Sequence, residues 1–256
     1  MEPADFGKAA DDYARHRAGF PDSFFDRMIR LGFVRAGDRL LDLGTGTGTL
    51  ARGFGQRGCH VVGLDPSQPM LDQARRLADE AGLAIDWVQA SAEATGLPPA
   101  SFDIVIAGQC WHWFDKPRAA AEAKRLLKPN GLLAIAHFDW LPLPGNMVTA
   151  TERLIEAHNP NWTLGGGTGR YPQWARAVED AGFDGIEIFE YELDVPYSHE
   201  AWRGRIRASA GVGGSLAPDA VQRFDDDLKS LLTKDFPGDP LAVPHRVWAM
   251  TAYTPR

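Results

Sequence analysis

The stretch RLLDLGTGTGTL, residues 39–50, decides the fold. An apolar run ends in Gly44, Gly46 and Gly48, spaced two apart, and a helical pattern resumes at Leu50. Glycine reaches positive φ without steric cost and lets a ligand come close to the main chain. A helix that opens just after such a turn presents N–H groups with no intrahelical partner. Strand, bare turn and helix together read as the first unit of an α/β sheet, with the turn able to hold a nucleotide-like ligand or a carboxylate.

Working outward, residues 39–137 alternate short apolar runs with amphipathic segments. The strands are RLLDL, HVVGLD, AIDWVQ, FDIVIAG and LLAIAHF; the helices are GTLARGFGQRG, QPMLDQARRLADEAG and PRAAAEAKRLLKPNG. That order predicts parallel pairing and a sheet covered on both faces, a doubly wound, Rossmann-like α/β core. Ser67 stands where it can cap the second helix, and Pro129 with Gly131 closes the third at Lys128. Asp65 ends the second strand, where a carboxylate can accept from both ribose hydroxyls. A dinucleotide fingerprint needs its third glycine one residue later, and Thr49 stands there, so the spacing leans away from a nicotinamide cofactor.

Beyond the core, YPQWARAVEDA (171–181) reads as a helix, FDGIEIFEYELDVPY as a long strand and HRVWAMTAYTP as a last strand able to pair antiparallel with it. Two stretches break the pattern. Residues 138–170 are rich in Pro, Gly and Trp, and residues 198–236 read as two helices joined by AGVGGSLAP. Insertions of this kind sit over the strand ends where ligands bind. The expected organisation is one domain over residues 1–256: N-terminal lid helices in 1–38, a cofactor core in 39–137 and substrate lids in 138–170 and 198–236.

A net charge of −7 argues against nucleic-acid binding through general electrostatics and favours a small-molecule partner. Cys59 and Cys110 are the only cysteines and form neither a disulfide framework nor a metal cluster. No metal-ligand set stands out, although His137 and Asp139 are near each other in sequence. The amino-terminal stretch lacks an apolar signal region and no run approaches the roughly 18 apolar residues of a membrane span, so the expectation is a cytoplasmic protein with no membrane partner, monomer or homodimer.

LLDLGTGTG, VVGLDPS, VQASAEATGLP, FDIVIAGQCWHWFD and RLLKPNGLLAI, in this order, resemble the successive motifs of class I S-adenosylmethionine-dependent methyltransferases, and the match covers residues 39–137. Within that family the chain is similar to the small-molecule enzymes of the ubiquinone-biosynthesis and trans-aconitate type. Phe6, Tyr13, Arg17, Phe20 and Pro21 match those enzymes' N-terminal pattern. The resemblance implies a seven-stranded sheet of order 3-2-1-4-5-7-6 with the last strand antiparallel. It implies that Asp42 and the backbone of Gly44, Thr45, Gly46 and Gly48 face the methionine part of the cofactor, and that Asp65 holds the ribose. Pro66 and Met70 would wall the adenine, Ser91 and Ala92 would meet its edge, Gln109 would approach the methionine end, and Tyr13 and Arg17 would fold over the carboxylate. Each residue also has a plain structural reading. Asp42 could cap the turn, Tyr13 and Arg17 could lie on a solvated helix face, and Cys110 is a core residue.

A sulfonium methyl is already electrophilic, so positioning does most of the work, and a base is needed only for an acceptor that holds its proton. His112 is the titratable candidate at the methyl-bearing end, with His137 and His199 as weaker alternatives. Trp111 and Trp113, or core packing instead, are the aromatic candidates for the acceptor pocket. Arg170, Trp202, Arg203 and Arg207 are the further acceptor candidates; Arg203 and Arg207 share a helix face at i, i+4 and could clamp a carboxylate or merely face solvent. The expected function is methyl transfer to the O, N or C atom of a small acceptor, carboxylate-bearing in one version. A non-catalytic S-adenosylmethionine-binding regulatory module is the rival. A nucleic-acid methyltransferase would show a basic tract or an Asn/Asp-Pro-Pro-aromatic sequence where this chain has QCWHWF.

Overall fold

The computed structural model describes residues 19–255. Strands β1 (Arg39–Leu43), β2 (His60–Asp65), β3 (Asp86–Gln89), β4 (Phe102–Gly108), β5 (Leu127–Trp140), β6 (Asp184–Tyr197) and β7 (Leu241–Tyr253) form one sheet of order β3-β2-β1-β4-β5-β7-β6. β1 pairs in parallel with β2 and β4, β2 with β3, and β4 with β5. The last strands are antiparallel, so the sheet has the topology that the resemblance implied. The chain leaves β1 toward β2 and later returns on its other side as β4, which makes the carboxyl ends of β1 and β4 the switch point of the sheet. Leu40, Leu41 and Leu43 are fully buried, as an unbroken apolar run in a parallel strand covered on both faces requires.

The helices are α1 (Asp22–Arg30), α2 (Thr49–Gly55), α3 (Gln68–Glu80), α4 (Lys116–Leu126), α5 (Met147–His158), α6 (Ala175–Asp180), α7 (His199–Arg207) and α8 (Pro218–Asp235). α1 buries Phe24, Phe25 and Met28. Its Phe25 ring comes so near Gly53 of α2 that an added Cβ would lie 2.2 Å from Cζ, which explains a glycine inside a helix where it otherwise costs stability. α4 lays a face of Ala119, Ala120 and Ala123 on the sheet and is capped by Asp115, whose carboxylate accepts from Arg118 N–H. Three local expectations change. The Ser67 hydroxyl makes no capping bond to α3, because Asp65 takes over the order of that loop by accepting from Ser67 N–H. α4 ends at Leu126, before Lys128, because β5 begins at Leu127 and absorbs Pro129 to Gly131 in a register shift against β4. Finally, residues 147–158, inside a stretch for which the sequence delimits no element, form α5, whose N-cap Asn146 accepts from Thr149 N–H at 2.9 Å.

The described residues divide into two compact units. The larger comprises Gly19–Phe138, Tyr171–Tyr191 and the chain from Val247 on; the smaller comprises Asp139–Arg170 and Glu192–Arg246. The larger has a core that includes Leu41, Leu43, Val105, Ile135, Trp111 and Trp248. The smaller has its own, with Ile155, Trp202, Ile206, Phe224, Leu228 and Leu232. Residues 139–170 and 198–236 of the expected lids fall in the smaller unit, whereas 19–38 fall in the larger. Among the described residues no helix is long and apolar enough to cross a membrane.

Candidate functional site

The glycine turn is built by two buried aspartates. Asp42, 1% exposed within β1, accepts through one oxygen from Thr45 Oγ1 at 2.6 Å and from Ala51 N–H at 3.1 Å, tying the strand to the turn and to the first turn of α2. Asp65, at the end of β2, accepts from Gly46 N–H through one oxygen and from Ser67 N–H through the other, both at 2.9 Å. Thr45 N–H donates to the Leu64 carbonyl, so the turn is fastened to β2 by main chain as well. Burial pushes the Asp42 carboxyl up to about 7, against the opposing pull of the Thr45 and Ala51 bonds. Burial raises Asp65 as well, and its two backbone bonds oppose the rise.

Gly44, Gly46 and Gly48 have φ of 64°, 55° and 77°, a left-handed run that side chains rarely adopt. They differ in what surrounds them. A Cβ on Gly44 would lie 2.9 Å from Cys110 Sγ, and one on Gly48 would lie 2.8 Å from the Trp87 ring, whereas a Cβ on Gly46 would meet nothing within 4 Å among the described residues. The flanking glycines are therefore packing positions and the middle one presents open main chain. Next to α2 and the two carboxylates, that open face suits an adenosyl ligand with a ribose and an amino-acid tail, so these residues fit S-adenosylmethionine.

The other expected residues are spread unevenly. Met70 is buried in α3 and Pro66 is exposed at the loop before it. Ser91 is exposed and Ala92 buried, in a turn where Ala94 N–H donates to the Ser91 carbonyl. Gln109 takes φ 62°, unusual for a side-chain-bearing residue; its N–H donates to the Ala136 carbonyl at 2.9 Å and its amide to the Phe138 carbonyl. Gln109 thereby joins the ends of β4 and β5. Tyr13 and Arg17 lie outside the described residues.

Trp111 is a correction: it is fully buried in the larger core, edge-on to Phe114 at 5.7 Å, and so packs the sheet instead of lining an acceptor pocket. Trp113 is 44% exposed, with its ring 4.5 Å from that of His112. His112 is exposed and sits 5.5 Å from His137, which is buried against Tyr171 and Trp174.

In the smaller unit, Trp202 is a second correction. It is fully buried, donates through Nε1 to Thr151 Oγ1 at 3.1 Å and packs edge-on to Trp140 and Tyr197. Arg203 and Arg207 do share a face, but carboxylates already hold them. Arg203 bonds Asp225 through two nitrogens and Glu200 through a third; Arg207 bonds Asp225 at 2.7 Å and Glu200 at 2.9 Å. These arginines clamp α7 to α8, so they are not the acceptor clamp expected of them. Asp225, which sequence reasoning missed, is the centre of the clamp and stays ionised because both guanidinium groups hold its pKa down. Replacing Asp225 with Ala strands two arginines against one exposed glutamate, and we expect a loss of about 2 kcal/mol, read as a lower urea midpoint at unchanged slope. Arg170 is exposed.

Residues 41–135 match the family described as a methyltransferase domain. A curated relative, malonyl-[acyl-carrier protein] O-methyltransferase of Enterobacter lignolyticus, is 39% identical over 215 residues, which is 83% of this chain and 78% of that protein. An uncharacterized methyltransferase of Mycobacterium tuberculosis is 36% identical over 130 residues, 51% of this chain, and the chain spans about half, 50%, of that relative's length. Among solved structures, phosphoethanolamine N-methyltransferase 2 of Haemonchus contortus, crystallised with phosphomonomethylethanolamine and S-adenosylhomocysteine, shares the fold with a TM-score of 0.61 at 20% identity, over 99% of this chain and 60% of that one. With the sheet order and the glycine turn already in place, the chain belongs to the class I S-adenosylmethionine-dependent methyltransferases.

Proposed function

We propose that this protein is a cytoplasmic enzyme that moves a methyl group from S-adenosylmethionine to a small-molecule acceptor. The observation that carries the reading is the pairing of an open Gly46 with Asp65, whose two carboxylate oxygens each hold a backbone N–H and keep further lone pairs for ribose hydroxyls. Gly44 to Gly48 and the start of α2 would hold the amino-acid tail, Pro66 and Met70 the adenine faces, Ser91 and Ala92 its edge, and Gln109 the region near the methyl; Tyr13 and Arg17 would close over the tail. When bound, the cofactor supplies an electrophilic sulfonium methyl. The protein's own part is to orient the acceptor, exclude water and, for a hydroxyl acceptor, take its proton at His112, whose exposed ring suits that exchange. A carboxylate-bearing acceptor is the finer reading, supported by the name of the Enterobacter relative, which is that of an enzyme acting on a malonyl group.

Calorimetric titration with S-adenosylmethionine, S-adenosylhomocysteine and NADH in parallel tests the core of this. Micromolar affinity for the first two and none for NADH is expected. Binding of NADH alone, or of none of the three, would overturn it.

A further inference from the structure

We propose that the cleft between α1 and β6, within the larger unit, binds the phosphate monoester group of a small soluble molecule, a role that does not depend on methyl transfer. The cleft has a volume of about 340 Å³ and is lined by Ser23, Asp26, Arg27 and Arg30 of α1 and by Tyr191 of β6. The period of the helix makes its wall. Phe24, Phe25 and Met28 turn to the core, which leaves Ser23, Arg27 and Arg30, at i, i+4 and i+7, in one stripe. On β6, Phe189 and Tyr191 are two residues apart and share a face of the strand. Phe189 lies 6.4 Å from Phe24 of α1, so that face looks toward the helix.

Arg27 is held in place as a donor. Its guanidinium carbon lies 4.7 Å from the centre of the Tyr191 ring and 5.4 Å from that of Phe189. Aromatic contact occupies the face of a guanidinium and leaves its N–H edges for hydrogen bonds. Neither Arg27 nor Arg30 makes a side-chain hydrogen bond or an ion pair with a described residue. The one carboxylate of the cleft, Asp26, is engaged by Arg57, whose Nη2 bonds it at 3.0 Å and Asp22 at 3.1 Å. Three guanidinium groups thus meet two carboxylates, and the positive excess resides on the two arginines that line the cleft. Cations in the last turn of a helix also offset its dipole, but that task needs neither an aromatic platform nor a cleft.

The hydroxyls add a third donor. Ser23 Oγ and the Tyr191 oxygen lie 2.8 Å apart. Their mutual bond uses one hydrogen, and the second hydroxyl hydrogen is left to donate outward. Two guanidinium forks on the helix and an O–H at the strand call for an acceptor whose oxygens point in more than one plane. A phosphate monoester offers three strong acceptor oxygens and nearly two negative charges, whereas a carboxylate offers two oxygens in one plane and a single charge. The volume sits at the small end of the range for ligand pockets, roughly 300–1,000 Å³, and so suits that group with a short organic body.

The test is calorimetric titration of the full chain with glycerol 2-phosphate, inorganic phosphate and acetate, separately and at constant ionic strength. The proteins are the wild type, Arg27→Gln, Arg30→Gln, Arg30→Lys and the control Arg153→Gln, at an exposed site of the smaller unit. Glycerol 2-phosphate should bind the wild type and Arg153→Gln at least tenfold tighter than acetate does, and no more weakly than inorganic phosphate. Its affinity should fall at least tenfold in Arg27→Gln and in Arg30→Gln, and severalfold in Arg30→Lys, which keeps the charge but loses the fork. Phosphatidylcholine vesicles that contain phosphatidic acid carry the same group on a lipid, and they should sediment no more protein than phosphatidylcholine alone. No binding of glycerol 2-phosphate at millimolar concentration, equal binding of acetate, tighter binding of inorganic phosphate, an affinity unchanged in Arg30→Gln, or sedimentation with phosphatidic acid overturns the assignment. Should Arg27→Gln not fold, the two variants of the exposed Arg30 decide.

Discussion

Asp65→Ala is expected to weaken S-adenosylhomocysteine binding at least 100-fold in a calorimetric titration and to lower Tm by several degrees. Both effects come from one side chain with four hydrogen-bonding positions. Two are occupied by Gly46 N–H and Ser67 N–H, which hold the glycine turn and the start of α3 in register. The remaining lone pairs face the ribose in the proposed complex. A hydrogen bond to a charged group contributes about 1.5–3 kcal/mol, so losing two of them amounts to roughly two to four decades in affinity. Losing the internal pair leaves backbone donors with water as their only partner and loosens the turn, which accounts for the drop in Tm. Asp65→Asn keeps one acceptor oxygen but turns an N–H toward one of the backbone donors, so it should fall between wild type and Ala. An Asp65→Ala protein that binds the ligand at wild-type strength would remove Asp65 from the cofactor site and leave it a purely structural residue.

What could be read ahead of the structure was what the backbone dictates locally. Leu40, Leu41 and Leu43 next to spaced glycines can hardly be anything but a buried parallel strand ending in a left-handed turn, and the repeated strand–helix alternation leaves few topologies. Asp65 was legible for the same reason, since it follows from its strand end. The acceptor side was not. Arg203, Arg205 and Arg207 look alike along the chain, and which of them is neutralised depends on Asp225, eighteen or more residues away on another helix. Trp111 and Trp202 could not be placed from sequence because an aromatic near a site and an aromatic in the core share a composition signal; the structure buries both completely. The bounds of α5 were not legible because Pro142 and Pro144 before it and Pro160 after it dominate the reading, although Asn146 ahead of an amphipathic run was a usable start signal. The two stretches that break the alternation, 138–170 and 198–236, were set apart in the sequence, and all but Phe138 fall in the smaller unit.

Asp42→Asn is expected to stabilise the ligand-free protein at pH 8 by roughly 2–4 kcal/mol and to have no such effect at pH 4. The folded state holds the Asp42 proton up to about pH 7, whereas the unfolded chain releases it near 3.8. Between those values the folded form binds more protons, so stability falls as pH rises through this window, and the full cost of the buried charge is present above it. At about 1.4 kcal/mol per pH unit, a three-unit gap sets the upper end of the range. Asparagine is a clean probe because Thr45 Oγ1 and Ala51 N–H both use the same carboxylate oxygen, which the carboxamide reproduces. Other groups titrate too. Glu122, held down to about 2 by Arg125 and Thr95, and His245, held down to about 4 by burial, lose their contributions as pH falls, and both are present in each protein. The difference between the two denaturation free energies, measured from pH 4 to 8, therefore isolates Asp42. A difference that rises with pH supports a buried carboxylate kept in the turn at the expense of stability; a flat difference means that the Asp42 charge is already compensated in the folded state. The same variant should bind S-adenosylmethionine more weakly than the wild type at pH 8, since there the wild type offers a cationic ligand a carboxylate charge that an amide lacks.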